Sequence, residues 1–315
     1  MDLLQELQQA KKIGIGGHVR PDGDCVGACL ALYNYLKNAR GDADIHVYLE
    51  QPPQVFAFLA GFDAIEEPKE MSEPFDVFIA LDCGDSERLD AARPLFLAAK
   101  KKLCFDHHLS NTGYADVNEI RPESSSTCEV LYEHFDKAYV DEAVASAIYT
   151  GIVHDTGVFQ YSCMSQATFG IVGELIGYGF DAAKIISESF YEKTYVQNQI
   201  LGRALLESML FMDGRCIASC VDKKMMEFYG VSNEDFDGIV NQLLVTKGCE
   251  VAIFMYQTGT LEFKVSMRSK GKVNVSEVAT YFGGGGHARA AGCMMSGTYR
   301  DVLNNLSKHI EKQLL

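Results

Sequence analysis

Apolar runs and helical patterns alternate along the first half of the chain. Short apolar runs typical of buried strands occur at KIGIGG (12–17), DIHVYLE (44–50) and FDVFIALDCG (75–84). Helical spacing of apolar side chains follows the first of these runs, at Val26, Leu30, Tyr33 and Leu36. Strands separated by helices predict an α/β fold in which a mostly parallel sheet carries helices on both faces.

The pattern changes after about residue 185. A long polar segment over 186–207 is predicted to be a linker helix. Hairpin turns are then predicted at Asp213-Gly214 and Thr258-Gly259, and a helix ends the chain. We therefore predict an N-terminal domain over 1–185, the linker helix, and a smaller mixed α/β domain over 208–315.

The composition is that of an ordinary globular protein, with 47% hydrophobic and 23% charged residues among 315. No apolar run is long enough to span a membrane. The start, MDLLQELQQAKK, lacks the basic residues and long apolar stretch of a signal peptide. The ten cysteines follow no zinc-binding spacing, so we predict reduced thiols in a cytoplasmic protein that contacts no membrane.

The formal net charge is −15, and the densest basic run is only KKK at 100–102. Proteins that hold long DNA or RNA usually offer a basic stripe that neutralises phosphates. This balance argues against a long duplex as partner. Any nucleic-acid substrate is expected to be short, or held only near its end.

Aspartate and histidine side chains cluster where predicted elements end. Four segments share this feature: GIGGHVRPDGD, VFIALDCGD, KLCFDHH and YTGIVHDTG. In an open α/β sheet, residues just past the carboxyl ends of the strands meet in one crevice. A single Asp there is usually a turn or cap residue, and a lone His is usually solvated. Four such coincidences at one end of a sheet instead favour a shared site.

A crowd of carboxylates raises its own pKa values by mutual repulsion, and divalent cations relieve that repulsion. Carboxylate oxygens and imidazole nitrogens without a cysteine ligand suit Mn²⁺ or a similar octahedral ion better than structural zinc. Nearby Cys25, Cys83 and Cys104 are expected to pack as small apolar groups.

The motifs HVRPDGDCVGA, LDCGD, FDHH and HDTG, in this order, resemble those of the DHH phosphoesterase superfamily. The loop GGGGHARAAG (283–292) resembles the signature of its associated C-terminal domain. The resemblance covers nearly the whole chain. Its one departure is Ala28, where the first motif commonly has Ser, and this position holds no ligand.

The resemblance implies a site for two divalent cations, expected to be Mn²⁺. One ion would be held by His18, Asp22 and Asp82. The other would be held by Asp24, Asp82, His107 and Asp155, with Asp82 bridging. In the catalytic group, His108 would face the scissile phosphate and Asp106 would orient the histidines.

The C-terminal loop has a physical interpretation of its own, because successive glycines let backbone N–H groups approach an anion closely. An arginine that ends a strand suits bidentate contact with a phosphate, although a lone arginine is more commonly in a surface ion pair. The resemblance implies that these groups bind the nucleotide end of the substrate. The candidate substrate-binding residues are Arg268, Ser269, Gly285, Gly286, His287 and Arg289.

Length and domain plan resemble the bifunctional nanoRNase (oligoribonuclease) and pAp phosphatase group. The expected substrates are short RNA, dinucleotides and 3′-phosphoadenosine 5′-phosphate (pAp). Alternatives are a linear- or cyclic-dinucleotide phosphodiesterase, a RecJ-like single-strand exonuclease, a family II inorganic pyrophosphatase, and a nucleotide sensor. The glycine loop argues against the pyrophosphatase, the acidic charge and short length against the RecJ type, and the full ligand set against the sensor. The oligomeric state stays open, with a homodimer as one alternative.

Overall fold

The computed structural model describes residues 2–69, 73–161 and 163–314. The chain divides into two compact units, Met1–Glu192 and Lys193–Leu315. The predicted domain ends at residues 1 and 315 lie outside the described residues, and the predicted linker bounds, 186 and 207, stay a prediction.

The first unit alternates strands and helices. Its strands are β1 (Lys12–Gly16), β2 (Asp44–Tyr48), β3 (Ile65–Glu66), β4 (Val77–Leu81), β5 (Lys101–Asp106) and β6 (Val117–Ile120). Its helices are α1 (Leu3–Glu6), α2 (Gly23–Ala39), α3 (Arg93–Ala98), α4 (Thr127–Tyr132), α5 (Glu142–Asp155), α6 (Gln166–Ile176) and α7 (Ala182–Ile186).

The strands form one sheet in the order β3-β2-β1-β4-β5-β6, and every pairing in it is parallel. The predicted α/β fold with a parallel sheet is therefore confirmed. The strand order reverses between β1 and β4, since the chain moves outward from β1 in one direction and from β4 in the other. Crevices that bind ligands in open α/β sheets form at such a reversal.

Side chains on the two faces of this sheet enter separate apolar clusters. Ile13, Ile15 and Ile79 pack in the cluster that includes α2 and α5, whereas Phe78 packs with Phe96 of α3 on the opposite face. Alternation along a strand directs successive side chains to opposite faces. Helices therefore cover both faces, as the sequence predicts.

Helices α2 and α5 approach each other closely because glycines face each other. A Cβ atom on Gly27 would lie 2.6 Å from the carbonyl oxygen of Ala147. A Cβ on Gly151 would lie 2.2 Å from Sγ of Cys128 and 2.7 Å from Oδ1 of Asp24. The missing side chain of Gly151 thus leaves the space that the Asp24 carboxylate occupies.

The second unit is a smaller mixed α/β structure, as predicted. Its strands are β7 (Met209–Phe211), β8 (Cys216–Val221), β9 (Val251–Gly259), β10 (Glu262–Ser269), β11 (Gly285–His287) and β12 (Ala290–Ser296). Its helices are α8 (Tyr195–Leu206), α9 (Lys223–Tyr229), α10 (Ile239–Leu244), α11 (Val275–Tyr281) and α12 (Tyr299–Leu314). The strands form a sheet in the order β11-β12-β10-β9-β8-β7, in which β8 and β9 pair in parallel and the other neighbours are antiparallel.

The predicted hairpin turn at Asp213-Gly214 is confirmed, but the second turn is displaced. Strand β9 continues through Gly259 and the chain reverses at Thr260-Leu261, with a positive φ of 56° at Leu261. An irregularity in the register beside Glu262 accompanies this shift. The sequence placed the turn at the glycine, whereas the bulge moves it beyond that residue.

The polar segment over 186–207 is not one continuous helix. Residues Ser187–Tyr191 form a π-helical turn, and α8 begins only at Tyr195. Thr194 starts α8 with a capping box: the hydroxyl of Thr194 accepts from the backbone N–H of Gln197, and the side-chain oxygen of Gln197 accepts from the backbone N–H of Thr194. This cap starts α8 as an element separate from the π-helical turn.

Two further expectations concern the whole chain. Among the described residues, no helix is long and apolar enough to cross a membrane. All ten cysteines are free thiols, as predicted, and most of them are buried.

Candidate metal centre

The loop after β1 supplies His18 to the crevice at the sheet reversal. Its Nδ1 lies 2.8 Å from the carbonyl oxygen of Val19, which can only accept, so Nδ1 carries the proton. Nε2 lies 3.7 Å from Oδ1 of Asp22 and 3.4 Å from Oδ2 of Asp82. The imidazole therefore presents Nε2 to two carboxylates, which is the orientation of a metal-ligating histidine.

Asp22 has two tasks at the start of α2. It is the N-cap of that helix, where Oδ1 accepts hydrogen bonds from the backbone N–H groups of Asp24 and Cys25. The same oxygen faces His18. The N-cap preference for Asp explains the local structure, and its position beside His18 brings the carboxylate to the crevice.

Asp24 is the second residue of α2 and is completely buried. Its two oxygens accept hydrogen bonds from backbone N–H groups at the start of α4, with Oδ2 2.6 Å from the nitrogen of Thr127 and Oδ1 2.9 Å from that of Cys128. Buried carboxylates need such partners, because an unpaired charge in the interior is very costly. The first turn of α4 therefore fixes the orientation of this side chain.

Asp82 follows β4 directly and has a backbone φ of 57°, in the left-handed region. Its carboxylate is buried. Oδ2 faces His18, and Oδ1 accepts a hydrogen bond of 2.9 Å from the hydroxyl of Thr127. Non-glycine residues in this conformation are uncommon and often occur at functional sites.

His107 and Asp155 complete the other side of the cluster. Nε2 of His107 lies 3.0 Å from Oδ2 of Asp155, which is the last residue of α5. The same nitrogen lies 4.0 Å from Oδ2 of Asp24 and 3.8 Å from Oδ1 of Asp82. Nδ1 faces the carbonyl oxygen of Ser124 at 3.4 Å, so here too Nε2 is the atom presented to the carboxylates.

His108 points its Nδ1 at Asp106, with 2.7 Å to Oδ1. That oxygen also accepts from the backbone N–H groups of His107 and His108, and Oδ2 accepts at 2.6 Å from the side-chain amide of Asn111. These bonds lower the pKa of Asp106 although burial acts in the opposite direction. Asp106 is therefore an anchor that fixes His108 and the backbone of both histidines.

The charges in the cluster shift one another. Burial and the negative charges of Asp82 and Asp155 raise the pKa of Asp24 well above its ordinary value. Burial lowers the pKa of His107, but the hydrogen bond to Asp155 and the neighbouring carboxylates outweigh it and raise that pKa to about 10. The histidines of the site do not fully neutralise its negative charges, and the pKa values of its residues shift as a result.

The donors fit divalent cations. Ligand atoms lie within 4.8 Å of one another in three groups: His18, Cys25 and Asp82; Asp82, His107 and His108; and Asp24, His107 and Asp155. Asp82 belongs to two of these groups. It lies between His18 on one side and His107 and His108 on the other. The mutual repulsion of Asp24, Asp82 and Asp155 is the strain that a cation relieves.

Two residues within the motifs have surroundings that the sequence did not indicate. His154 adjoins Asp155, yet its ring packs against Gly23 and Phe56, and its Nε2 lies 3.0 Å from the hydroxyl of Ser189. Cys25 was expected only to fill space, and it is buried, but its sulphur belongs to the group with His18 and Asp82.

In the second unit, Arg268 is the penultimate residue of β10 and lies on the face opposite the buried side chains of that strand. Its Nε donates to Oδ1 of Asn241 on α10 at 3.1 Å. Across the sheet, Arg268 pairs with Ala290, and Ala290 pairs with His287 on β11. Paired residues point to the same face, so Arg268 and His287 lie two strands apart on one face, at about 10 Å.

The glycines of β11 give the loop an open backbone. Gly286 has a φ of 141°, and a Cβ atom there would lie 2.5 Å from the carbonyl oxygen of Ala290. Gly285, Gly286, His287 and Arg289 are exposed. Ser269, in contrast, is buried: its hydroxyl donates to Glu250 and accepts from the N–H of Gly271. Its predicted part in substrate binding stays a prediction.

The structure adds three residues that the sequence did not single out for the site. Thr127 hydrogen-bonds both Asp24 and Asp82, Asn111 holds Asp106, and Asn241 holds Arg268. Nothing in the spacing of these residues indicated partners far away in the chain.

Comparison with known proteins agrees with this geometry. Residues 12–152 match the family described as "DHH family, N-terminal domain", and residues 214–314 match the "DHHA1 domain". The "Bifunctional oligoribonuclease and PAP phosphatase NrnA" of Thermus thermophilus is 28% identical over 94% of this chain and 89% of that protein. The protein of the same name from Bacillus subtilis is 25% identical over 92% of this chain and 91% of its own length.

Among solved structures, an "exopolyphosphatase-related protein" from Bacteroides fragilis is similar, with a TM-score of 0.89 and 25% identity. The alignment covers 98% of this chain and 94% of that one. The similarity therefore extends through both units. The chain therefore has a DHH N-terminal domain followed by a DHHA1 domain.

Proposed function

We propose that this protein is a metal-dependent phosphoesterase that hydrolyses short oligoribonucleotides and dinucleotides to mononucleotides, and pAp to AMP and phosphate. The observation that carries the proposal is the convergence of His18, Asp24, Asp82, His107 and Asp155 at one sheet reversal, although four separate segments contribute them. Two relatives that are named for these two activities match this chain over most of their length, and they support the substrate class.

In this proposal two cations, Mn²⁺ being favoured by the oxygen and nitrogen donors, bind at the cluster. His18, Asp22 and Asp82 would hold one ion, and Asp24, Asp82, His107 and Asp155 the other. Bound divalent cations would supply positive charge for the phosphate oxygens and would increase the acidity of a water molecule.

The remaining residues of the site position the substrate phosphate. His108 is held by Asp106 through Nδ1, and this bond raises the pKa of His108. A histidine whose protonated form is favoured donates well to an anionic oxygen. We therefore assign His108 to the scissile phosphate and Asp106 to the orientation of His108.

The second unit is proposed to hold the nucleotide end of the substrate. Arg268 offers a guanidinium fixed by Asn241, and the backbone at Gly285 and Gly286 is open because no side chain covers it. His287 and Arg289 add exposed donors on the same loop. Arginine and backbone N–H groups are the usual partners of terminal phosphates.

A substrate panel tests the proposal: purified protein with Mn²⁺ and either pAp, a 5′-labelled RNA dinucleotide, a cyclic dinucleotide or pyrophosphate. We expect release of mononucleotides from the dinucleotide and of phosphate from pAp, both abolished by EDTA and restored by Mn²⁺. Hydrolysis of pyrophosphate alone would contradict the proposal and favour the pyrophosphatase. Tight binding of pAp without turnover would favour the nucleotide sensor.

A further inference from the structure

A run of buried polar residues begins helix α4. Ser125, Ser126, Thr127 and Glu129 are each at most 3% exposed. Polar groups are buried at this density only when hydrogen bonds satisfy them, since an unpaired one costs free energy on the order of 1–3 kcal/mol. The partners of these side chains therefore define what the segment does.

Part of the run fixes α4 in place. The carboxylate of Glu129 accepts from the N–H and hydroxyl of Ser125 and, at 2.8 Å, from the hydroxyl of Thr168 on α6. The hydroxyl of Ser126 accepts from the N–H of Glu129 as the N-cap. The first turn of α4 is thus anchored to α6. Among the buried polar side chains of this turn, that of Thr127 has its partner in the metal centre.

Thr127 bonds two carboxylates that come from different elements, Asp24 on helix α2 and Asp82 just after strand β4. Its N–H donates to Oδ2 of Asp24 at 2.6 Å, and its hydroxyl donates to Oδ1 of Asp82 at 2.9 Å. A carboxylate oxygen can accept more than one bond, so Oδ1 of Asp82 keeps a further lone pair. The hydroxyl therefore orients this oxygen without using up its capacity to bind a ligand.

The two oxygens of Asp82 face opposite sides of the site. Oδ2 lies 3.4 Å from Nε2 of His18, whereas Oδ1 lies 3.8 Å from Nε2 of His107 and 3.6 Å from Nδ1 of His108. Rotation of the carboxylate about its last bond would remove this division. The hydrogen bond from Thr127 opposes that rotation because its donor belongs to an anchored helix.

We propose that Thr127 is a positioning residue that fixes the carboxylate plane of Asp82, so that one oxygen serves each side of a two-cation site. This inference rests on the proposed function in one respect, namely that Asp82 ligates a cation. It goes beyond that function because it assigns the geometry of the shared ligand to a side chain outside the proposed ligand set.

The test compares Thr127→Val, which keeps the shape and removes the hydroxyl, with Thr127→Ser, which keeps the hydroxyl. Thr150→Val is the matched control, because Thr150 is equally buried and its hydroxyl donates only to the carbonyl oxygen of Ser146 within α5. Calorimetric titration of the metal-free proteins with Mn²⁺ is the readout. Thermal unfolding of the same samples reports the fold.

We expect Thr127→Val to weaken Mn²⁺ binding by roughly 10- to 100-fold, the usual effect of losing a residue that orients a ligand. Thr127→Ser should bind within about threefold of the unaltered protein, and Thr150→Val should not change binding. Unfolding temperatures of the metal-free Thr127→Val and Thr150→Val variants should fall by similar amounts, because each loses one buried hydrogen bond.

Asp82→Asn separates the two ways of failing. If Asp82→Asn loses Mn²⁺ binding and Thr127→Val keeps it, the positioning role is wrong and the metal centre stands. If Asp82→Asn itself binds Mn²⁺ as the unaltered protein does, the metal assignment fails. Equal losses in the Val and Ser variants would also overturn the inference, since the hydroxyl would then not be the cause.

Discussion

Nε2 of His107 lies 3.0 Å from Oδ2 of Asp155. This contact joins the loop after β5 to the last residue of α5. This pair is the closest approach between a histidine and a carboxylate of the second proposed cation set. A proton and a cation would compete for the same space between these two atoms. The stability of the fold and the binding of a cation at this pair are therefore both expected to depend on pH.

The first prediction follows from that coupling. The pKa of His107 is raised from 6.5 to about 10, so its charged form stabilises the metal-free fold below pH 6.5, and this contribution is lost as pH rises towards 10. We expect the unfolding temperature in EDTA to fall by on the order of 5 °C across this window. With saturating Mn²⁺ the fall should be smaller, because deprotonated ligands bind the ion more tightly.

His107→Gln is the control for that measurement, since it cannot become charged. Its metal-free form should show a flatter dependence of unfolding temperature on pH between 6.5 and 10. A slope equal to that of the unaltered protein would show that other groups carry the effect.

Asp82→Asn is expected to reduce kcat/KM by more than about 100-fold on every substrate that is cleaved, because it removes charge from both proposed cation sites. Asparagine tolerates the positive φ of this position, so the fold should persist. Asp85→Asn is the matched control from the same loop, where Asp85 caps residues Ser86–Ala92 and is exposed. Circular dichroism and kinetics of both variants check the prediction, and near-normal turnover by Asp82→Asn would contradict it.

Arg268→Ala is expected to weaken capture of pAp or a dinucleotide by about 2–4 kcal/mol, since it removes a charged partner of a phosphate. Lys264 provides the control, because it lies on the same strand and face. Lys264→Ala should have little effect. Hydrolysis of a small activated phosphodiester should suffer much less from Arg268→Ala, and equal losses on both substrates would refute a role in end recognition.

Substrate length gives a fourth prediction. The net charge is −15 and the densest basic run in the sequence is only KKK at 100–102, so we expect each additional phosphate of a long strand to add repulsion. We expect kcat/KM on 5′-labelled RNAs to be highest at about two to five nucleotides and to fall for longer chains. Faster cleavage of a 24-mer than of a dimer, at fixed Mn²⁺ and low salt, would favour the long-strand exonuclease.

Gly151→Ala tests the space reserved for Asp24. The added Cβ would lie 2.2 Å from Sγ of Cys128 and 2.7 Å from Oδ1 of Asp24, so one of them must move. We expect a loss of about 1–3 kcal/mol in the free energy of unfolding together with weaker Mn²⁺ binding. Gly173→Ala on α6, where a Cβ meets nothing within 4 Å, should be neutral or slightly stabilising.

The sequence predicted the sheet and its ligand-bearing ends because each strand and its polar end are local patterns. The residue pattern alone could not separate His154 from Asp155, which are neighbours in the chain, because the packing of α5 decides which of them faces the carboxylates. The choice of Asp155 came from the family resemblance. Thr127 was missed for a related reason. A threonine after a run of serines has the pattern of an ordinary helix start, and its two aspartate partners come from distant segments.

Asp22 caps helix α2 and faces His18 with the same oxygen, so one carboxylate would serve both the folding of α2 and the proposed cation site. Genetic dissection of this position requires two complementary replacements. Asparagine retains the capping acceptor and removes the charge, whereas glutamate retains the charge and caps poorly. If one replacement damages the protein and the other does not, the result shows whether the cap or the charge requires aspartate at this position.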